Sequence, residues 1–281
     1  MKPSEFVTVK APAKLNLFLE IGDRLEDGYH EIESVMQSVT LYDTLTFSKT
    51  PCGIELCCSD ENLSSESNLV VRASKLFFEK SGINGGIKIR LEKNIPVSAG
   101  LGGGSTDAAA TLSALNGLYG EPFTKKQLSD LGKSLGADIP FCLKRGLCLA
   151  AGIGERLSEL GSLPECFFVI SKGERTVLTG AAYARIDECS ERERRKADLM
   201  IDAIKNKDLH GICRSLYNGF EQNGDHDDRI KEIMLSHGAE GTLMTGSGPS
   251  VFGVFVNKKN ALSACGALAA EGFAGVICRP E

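Results

Sequence analysis

The sequence predicts an α+β fold in two domains, and three observations support this prediction. The chain has 281 residues, 42% hydrophobic and 25% charged, which suits one large globular domain or two ordinary ones. Its first part begins with segments that alternate apolar and polar residues, as strands do. Its second part interleaves strand and helix patterns, which is typical of layered α+β packing.

The elements of the first part follow from periodicity and capping. Alternation predicts strands at 6–22, 42–50, 53–59 and 85–96. Helical spacing predicts helices at 68–82, 105–120 and 124–136. Thr124 and Gln127 stand three positions apart, as in a capping box at the start of the last of these helices.

We place a domain boundary near 162–164, which gives domains 1–162 and 163–281. The second domain begins with a buried strand, ECFFVIS, at 165–171. The remaining patterns predict helices at 179–187, 191–206, 209–220, 226–238 and 261–272, a strand–loop–strand at 241–256 and a last strand at 275–278.

Charge and cysteine usage exclude several classes of function. The net charge is −5 and basic residues form no stripe, which argues against binding to nucleic acid or to an anionic membrane. No apolar run approaches the roughly 20 residues of a membrane span, and the first twenty residues lack a signal-peptide core. We therefore expect a cytoplasmic protein. Its ten scattered cysteines, with no CxxC pair, are expected to be buried reduced thiols rather than zinc ligands.

A glycine-rich loop stands out at 95–116, IPVSAGLGGGSTDAAATLSALN. Glycines let the backbone come close to a ligand, and the helix that follows offers free N–H groups and a positive dipole end. The string is not a Walker loop, because Gly104 rather than lysine precedes Ser105. Nor is it a GxGxxG fingerprint, because Ser105 takes the last position. We predict a different phosphate loop, in which Asp107 either caps the helix or helps to hold a metal ion.

The full string P-x-x-A-G-L-G-G-G-S-T closely resembles the ATP loop of the GHMP kinase superfamily, named after galactokinase, homoserine kinase, mevalonate kinase and phosphomevalonate kinase. GADIPFCL resembles its catalytic-aspartate segment, and MTGSGPSVFGVF resembles its third motif, a C-terminal glycine loop. Residues 11–45 resemble the N-terminus of those members that act on a cytidine diphosphate ester of methylerythritol. The matches occur in order along most of the chain.

The resemblance implies a ribosomal S5 domain 2-like N-terminal domain, which binds ATP, and a ferredoxin-like C-terminal domain. It implies transfer of the γ-phosphoryl group of ATP to the 2-hydroxyl of that ester, in the non-mevalonate route to isoprenoid precursors.

ATP and Mg²⁺ are the expected cofactors, and the protein is expected to be a monomer or a homodimer. The residues expected to hold ATP are Pro96, Val97, Ser98, Ala99, Gly100, Leu101, Gly102, Gly103, Gly104, Ser105 and Thr106. Asn68 resembles the residue near the adenine, although it could equally cap the helix that follows it, or do both.

Two residues match the catalytic positions of the superfamily. Asp138, in GADIP, would take the proton of the substrate hydroxyl. Lys14, in APAKLN, would orient that carboxylate and stabilise the charge that develops on transfer. Taken alone, Asp138 would suit a turn before Pro140, and Lys14 an outward position on an alternating strand.

The resemblance also implies a set of substrate contacts. Asn16 would hold substrate hydroxyls, Tyr29 and His30 would line the cytidine end, and a ring would stack on cytosine from TGAAYARID. The expected substrate-binding residues are Asn16, Tyr29, His30, Thr179, Tyr183, Gly246, Ser247 and Gly248. Tyr183 could instead pack its helix onto the domain, and the 246–248 loop could be a simple bend. Pro249 and Ser250 depart from the small residues expected there, which leaves the role of Ser250 open.

The magnesium ligands stay unassigned, since Asp107 is a candidate only by position. The rival functions are a related kinase for another small alcohol, a lyase that shares this fold, and a ligand binder without catalysis. The presence of Tyr29, His30 and Tyr183 favours the cytidine substrate. The presence of Lys14 and Asp138 argues against a binder without catalysis.

Overall fold

A computed structural model describes residues 6–26, 28–173, 179–189, 192–223 and 228–281. It confirms the mixed α and β architecture. The strands are β1 (Phe6–Arg24), β2 (His30–Thr50), β3 (Gly53–Cys58), β4 (Gly86–Glu92), β5 (Leu147–Gly152), β6 (Arg156–Gly161), β7 (Phe167–Lys172), β8 (Tyr217–Asn218), β9 (Gly241–Met244), β10 (Ser250–Phe255) and β11 (Gly275–Cys278). The helices are α1 (Leu69–Ser81), α2 (Gly103–Leu118), α3 (Lys125–Leu135), α4 (Ile139–Lys144), α5 (Thr179–Glu188), α6 (Asp198–Lys205), α7 (Leu209–Arg214), α8 (Asp228–Ser236) and α9 (Lys258–Ala270).

One compact unit comprises Met1–Ala13, Leu41–Val97 and Gly102–Lys144. In it, β4 pairs antiparallel with β2, and β3 pairs parallel with β4. A parallel pair needs a long crossover, and α1 supplies it between β3 and β4. The ring of Phe77, on the buried face of α1, packs at 5.5 Å from that of Phe123. Apolar side chains of α1 and α2, among them Val70, Phe77, Leu112 and Leu115, are buried in this unit.

The second unit comprises Lys14–Thr40, Ser98–Leu101 and Arg145–Glu281. It contains an antiparallel sheet in the order β11-β7-β10-β9. In chain order these strands are the fourth, first, third and second, with α8 and α9 placed as in the β-α-β-β-α-β unit. Val169, Met234, Val251 and Ala264 belong to the core between this sheet and its helices. The ferredoxin-like prediction for the C-terminal part is confirmed.

The strands β1 and β2 continue from one unit into the other. In the second unit, β8 pairs parallel with β1 at Phe18 and Leu19, while β5 pairs with β2 and β6 with β5. The sequence analysis did not predict β5, β6 or α4. The predicted helix 209–220 is too long, because α7 ends at Arg214 and β8 follows. In the described part of 191–206, only Asp198–Lys205 is helical.

The compact units do not coincide with the predicted domains. Residues 145–162, together with two earlier segments, group with the C-terminal part of the chain. The reason is that β5 and β6 add to the N-terminal portion of β2. The division into 1–162 and 163–281 stays a prediction. Within the described ranges, no helix combines the length and apolar character needed to cross a membrane.

Candidate active site

The glycine-rich loop ends in the helix that was expected after it. Helix α2 begins at Gly103, two residues earlier than predicted, so that Ser105 and Thr106 lie in its first turn. Three loop residues before it have positive φ: Ser98 at 52°, Gly100 at 72° and Gly102 at 70°. Residues other than glycine rarely adopt a positive φ, which explains the glycines at 100 and 102.

The start of α2 has no side-chain cap. Gly102 occupies the N-cap position and makes no side-chain hydrogen bond there. Gly104 is exposed, and Gly102, Gly103 and Ser105 are half-buried, so that solvent reaches this helix end. The first N–H groups of a helix need partners, and an anion such as a phosphate can supply them. The local geometry therefore suits a phosphate group.

The second glycine loop lies against the first, within one unit. A Cβ atom added at Gly100 would lie 2.1 Å from the carbonyl oxygen of Thr245. One added at Gly246 would lie 3.0 Å from the carbonyl oxygen of Gly100. Gly246 and Gly248 have φ of 57° and 81°. The two backbones touch because neither loop carries a side chain there, which the sequence could not show.

Ser250, whose role was left open, is fully buried at the start of β10. Its carbonyl oxygen accepts a hydrogen bond from the Thr245 N–H at 2.9 Å. Its backbone thus closes the base of the second loop. The Gly248–Pro249 peptide bond in this loop is cis.

Lys14 and Asn16 lie beneath the second loop. The Nζ of Lys14 donates to Oδ1 of Asn16 at 2.5 Å, and Nδ2 of Asn16 donates to Oγ of Ser34 at 2.8 Å. The N–H of Asn16 donates to Oγ1 of Thr245 at 3.0 Å. Lys14 is only 5% exposed and Asn16 3%, so the interpretation of Lys14 as an outward surface residue is wrong. The reason is that β1 is buried on both faces, since Leu15 and Leu17 are buried as well.

Asn218 is a residue of this region that the sequence analysis missed. Its Nδ2 donates to the carbonyl oxygens of Met244 and Gly246, both at 2.8 Å, and its Oδ1 accepts from the Phe220 N–H at 3.0 Å. The two N–H groups of this buried amide thus hold the second glycine loop, while its oxygen fixes the chain just after Asn218. Asn-Gly in a segment predicted as helix was the available signal, and it indicates a turn rather than this contact.

Asp138 belongs to the other compact unit and lies directly before α4. Its carbonyl oxygen accepts from the Cys142 N–H at 3.0 Å, which closes the first turn of that helix. This bond uses only the backbone of Asp138, so the role of its carboxylate stays a prediction. Lys14 lies in the second unit, so the pairing of Asp138 with Lys14 stays a prediction.

A buried charge cluster lies against the start of α2. Lys93 Nζ donates to carboxylate oxygens of Asp43 and, at 2.8 Å, of Asp107. Oδ1 of Asp43 also accepts from the N–H groups of Asn94 at 2.6 Å and Ile95 at 2.8 Å. The cluster thereby connects β2, the entry to the loop and α2. The helix-cap interpretation of Asp107 is wrong, because this residue lies one turn inside α2.

Burial makes Asp107 the weak acid of this cluster. It raises the pKa of the Asp107 carboxyl to about 7; the ammonium of Lys93 opposes that shift and the carboxylate of Asp43 adds to it. The two carboxylates together raise the pKa of Lys93, against the effect of its own burial. No described atom hydrogen-bonds Oδ1 of Asp107. The lysine therefore keeps its charge, and Asp107 is the group that exchanges a proton near neutral pH.

A second cluster gathers the residues expected at the cytidine end. The rings of His30 and Tyr183 stack at 4.8 Å between centroids, and Tyr183 meets Phe220 edge-on at 5.0 Å. Thr179 Oγ1 lies 3.1 Å from Ser247 Oγ in the second glycine loop. The packing role considered for Tyr183 is thus present. Tyr29 directly precedes His30 in the sequence, and it is 56% exposed.

Asn68 caps α1. Its Oδ1 accepts from the Val70 N–H at 2.9 Å, and its Nδ2 donates to the Leu63 carbonyl oxygen at 2.7 Å. The capping interpretation is confirmed, while the role near an adenine stays a prediction. Among the described residues, no group of three or more His, Cys, Asp or Glu side chains could hold a metal ion.

Comparisons with known proteins define the class. Residues 68–146 match the model of the GHMP kinases N terminal domain, and residues 200–274 match that of the GHMP kinases C terminal domain. The mevalonate kinase of Methanococcus jannaschii has the same fold, with a TM-score of 0.76 at 18% identity over 99% of each chain. The fold is that of the GHMP kinases.

Closer relatives identify the branch. The 4-diphosphocytidyl-2-C-methyl-D-erythritol kinase of Caldicellulosiruptor saccharolyticus is 43% identical over 91% of this chain and 90% of its own. That of Alkaliphilus metalliredigens is 40% identical over 92% and 91%. A crystal structure of 4-(cytidine 5'-diphospho)-2C-methyl-D-erythritol kinase matches with a TM-score of 0.83 at 31% identity, over 98% of this chain and 100% of that one. This chain belongs to the 4-diphosphocytidyl-2-C-methyl-D-erythritol kinase family.

Proposed function

We propose that the protein transfers the γ-phosphoryl group of ATP to the 2-hydroxyl of 4-diphosphocytidyl-2-C-methyl-D-erythritol, giving the 2-phosphate and ADP in the route to isoprenoid precursors. The observation that carries the proposal is the 43% identity to a kinase of that name over 91% of the chain. Conversion is expected in the cytoplasm, by a monomer or a homodimer.

ATP is proposed to place its phosphates at the start of α2. The uncapped helix end at Gly102, with exposed Gly104 beside it, supports this placement. Phosphoryl transfer depends mostly on positioning and on neutralising charge, and backbone N–H groups do both without moving. The contact between Gly100 and Thr245 gives this loop a fixed support.

Asp138 is proposed as the base that takes the proton of the 2-hydroxyl as the phosphoryl group arrives. Lys14 is proposed to orient that carboxylate and to stabilise the negative charge of the transition state. The hydrogen bonds from Lys14 to Asn16 and from Asn16 to Ser34 support a fixed ammonium position. Asn16 is proposed to meet the substrate hydroxyls from the same strand face.

Mg²⁺ is expected to arrive with ATP, since the described residues contain no group of three or more His, Cys, Asp or Glu side chains that could hold the ion alone. Asp107 was the candidate ligand, yet its Oδ2 accepts from Lys93 and its side chain is buried. Mg²⁺ in kinase sites is held largely by substrate phosphates and water. No residue of this chain is assigned to the ion.

The test is ADP release in the presence of magnesium and ATP. The assay offers 4-diphosphocytidyl-2-C-methyl-D-erythritol beside homoserine, mevalonate and galactose. We expect turnover of the cytidine compound alone. Turnover of another alcohol would identify a sister kinase, release of carbon dioxide with phosphate would identify a lyase, and ATP binding without ADP release would leave a ligand binder.

Asp138→Asn tests the assigned base. The amide cannot take the hydroxyl proton, so turnover is expected to fall by roughly a factor of 1,000 or more while ATP still binds. ATP affinity measured by calorimetry is the control for folding. Turnover within a few-fold of the unsubstituted protein would remove Asp138 as the base and leave it the role of closing the first turn of α4.

A further inference from the structure

Helix α5 presents one face to the cluster of residues expected at the cytidine end. Thr179, Tyr183 and Asp187 stand at intervals of four residues, so their side chains lie along one side of the helix. Thr179 meets Ser247, and Tyr183 stacks on the imidazole of His30. The third residue, Asp187, places Oδ1 at 2.7 Å from Nε2 of His30. The helix therefore holds this ring both from its face and from one edge.

The carboxylate of Asp187 has a second partner. Its Oδ2 lies 3.4 Å from Nη1 of Arg24, so that each oxygen has its own contact. The His30 side chain is only 5% exposed, whereas that of Asp187 is 34% exposed. One edge of the buried His30 ring therefore contacts the Asp187 carboxylate, and the exposed Arg24 side chain contacts the other oxygen of that carboxylate.

This contact determines which ring nitrogen carries the proton. A carboxylate oxygen only accepts hydrogen bonds, so Nε2 of His30 must be the donor. A neutral imidazole has a single N–H group, and Nδ1 is then an acceptor. Cytosine offers an amino group at the position where uracil offers a carbonyl oxygen.

We propose that Asp187 is a positioning residue that sets the tautomer of His30, so that Nδ1 accepts the 4-amino group of cytosine and disfavours uracil. This inference rests on the proposed function, since it assumes that His30 meets the base. A pocket that hydrogen-bonds one group discriminates strongly against an analogue that leaves the partner unpaired. Discrimination between the two bases would then depend on a residue that does not touch the substrate.

Asp187→Asn tests the inference through base preference. The asparagine amide can turn its NH₂ group toward Nε2, which lets the proton move to Nδ1 and makes that atom a donor. The ratio of kcat/KM for the cytidine ester to kcat/KM for its uridine counterpart is expected to fall about tenfold or more. The loss should lie in KM for the cytidine ester, with kcat at saturation within a few-fold. Asp23→Asn is the matched control, because Asp23 pairs with Arg194 at 2.7 Å on an exposed site.

The tautomer itself can be observed without substrate. Long-range ¹H–¹⁵N spectra distinguish Nε2–H from Nδ1–H, and a His30→Gln variant assigns the signals among the four histidines. We expect Nε2–H in the unsubstituted protein and an Nδ1–H population in Asp187→Asn. A proton on Nδ1 of the unsubstituted protein would overturn the inference.

The two proposals fail in different ways. Good turnover of the cytidine ester with the same base preference in Asp187→Asn and the unsubstituted protein would overturn the inference and leave the proposed function intact. Failure of the unsubstituted protein to phosphorylate the cytidine ester would overturn the proposed function, and the inference with it.

Discussion

Helices α2 and α3 lie in the same compact unit and begin in opposite ways. At the start of α3, Oγ1 of Thr124 accepts from the Gln127 N–H at 3.3 Å, while Oε1 of Gln127 accepts from the Thr124 N–H at 2.9 Å. At the start of α2, Gly102 has no side chain with which to do this. One helix supplies the partners of its first N–H groups from its own side chains, and the other has no such side-chain cap.

Other helix starts support this interpretation. Asn68, Asp208 and Asn257 each cap their helices with a side-chain oxygen. Helix α6 also lacks its own cap at Ala197, but a Glu33 carboxylate oxygen accepts from that N–H at 3.2 Å. The starts of α1, α3, α6, α7 and α9 therefore use side chains of the chain itself, whereas α2, where a phosphate is proposed, has no side-chain cap.

Among changes to the two helix starts, the largest effect is expected from placing a charge at the start of α2. In Gly102→Asp, a carboxylate would stand at the N-cap position of α2 and repel a phosphate. KM for ATP is expected to rise roughly 100-fold or more, since several aligned donors are lost together. The measurement is the ATP dependence of ADP release.

Gly102→Ala is the matched control for that substitution. It imposes the same positive φ on a residue with a Cβ atom, at a cost of about 1–2 kcal/mol, but adds no acceptor. KM for ATP should rise far less than in Gly102→Asp, at a similar melting temperature. Equal KM values in the two variants would show that backbone strain, rather than occupation of the helix end, accounts for the loss.

The charge cluster beneath α2 predicts a pH dependence that α3 does not share. The folded-state pKa of Asp107 lies near 7, above its ordinary value of 3.8, so the folded protein binds the extra proton between these values. This contribution to stability is complete below about pH 4 and is lost as pH rises to about 7, at up to roughly 1.4 kcal/mol per pH unit. Asp107→Asn removes it, because an amide does not titrate.

Urea unfolding of both proteins at several pH values between 4.5 and 8 measures this term. We expect the free energy of unfolding of the unsubstituted protein to fall with pH relative to that of Asp107→Asn. A Thr124→Val variant serves as the control, since the capping pair of α3 carries no charge. Parallel curves for the unsubstituted protein and Asp107→Asn would contradict the pKa assigned to Asp107.

The sequence predicts those elements that depend on the spacing of residues close together in the chain. The strand β1, the capping box at Thr124 and the helix that follows the glycine-rich loop all follow from local spacing, and the structure has each of them. The ferredoxin-like strand order came from the family resemblance, because strand order depends on distant pairings that periodicity cannot specify.

What escaped prediction depends on residues far apart in the chain. Asp43 and Lys93 are separated by fifty positions, and their pairing arises only when β2 and the loop entry meet. Asn218 and Asp187 gain their roles from contacts with loops and strands elsewhere in the chain. Alternation predicts a solvated face for Lys14 when only one side of a strand is buried, whereas β1 is covered on both sides at this position.

The smallest effect is expected at α3, where the chain caps itself. Thr124→Ala removes the side-chain oxygen that accepts from the Gln127 N–H, and both groups then turn to water at an exposed helix end. The free energy of unfolding should fall by about 1 kcal/mol, while KM for ATP stays unchanged because no ligand uses this helix start. Thr124→Ser, which keeps the oxygen, should recover most of the loss in the same urea titration. A rise in KM for ATP in Thr124→Ala would contradict the comparison, since it would mean that the two helix starts are not independent.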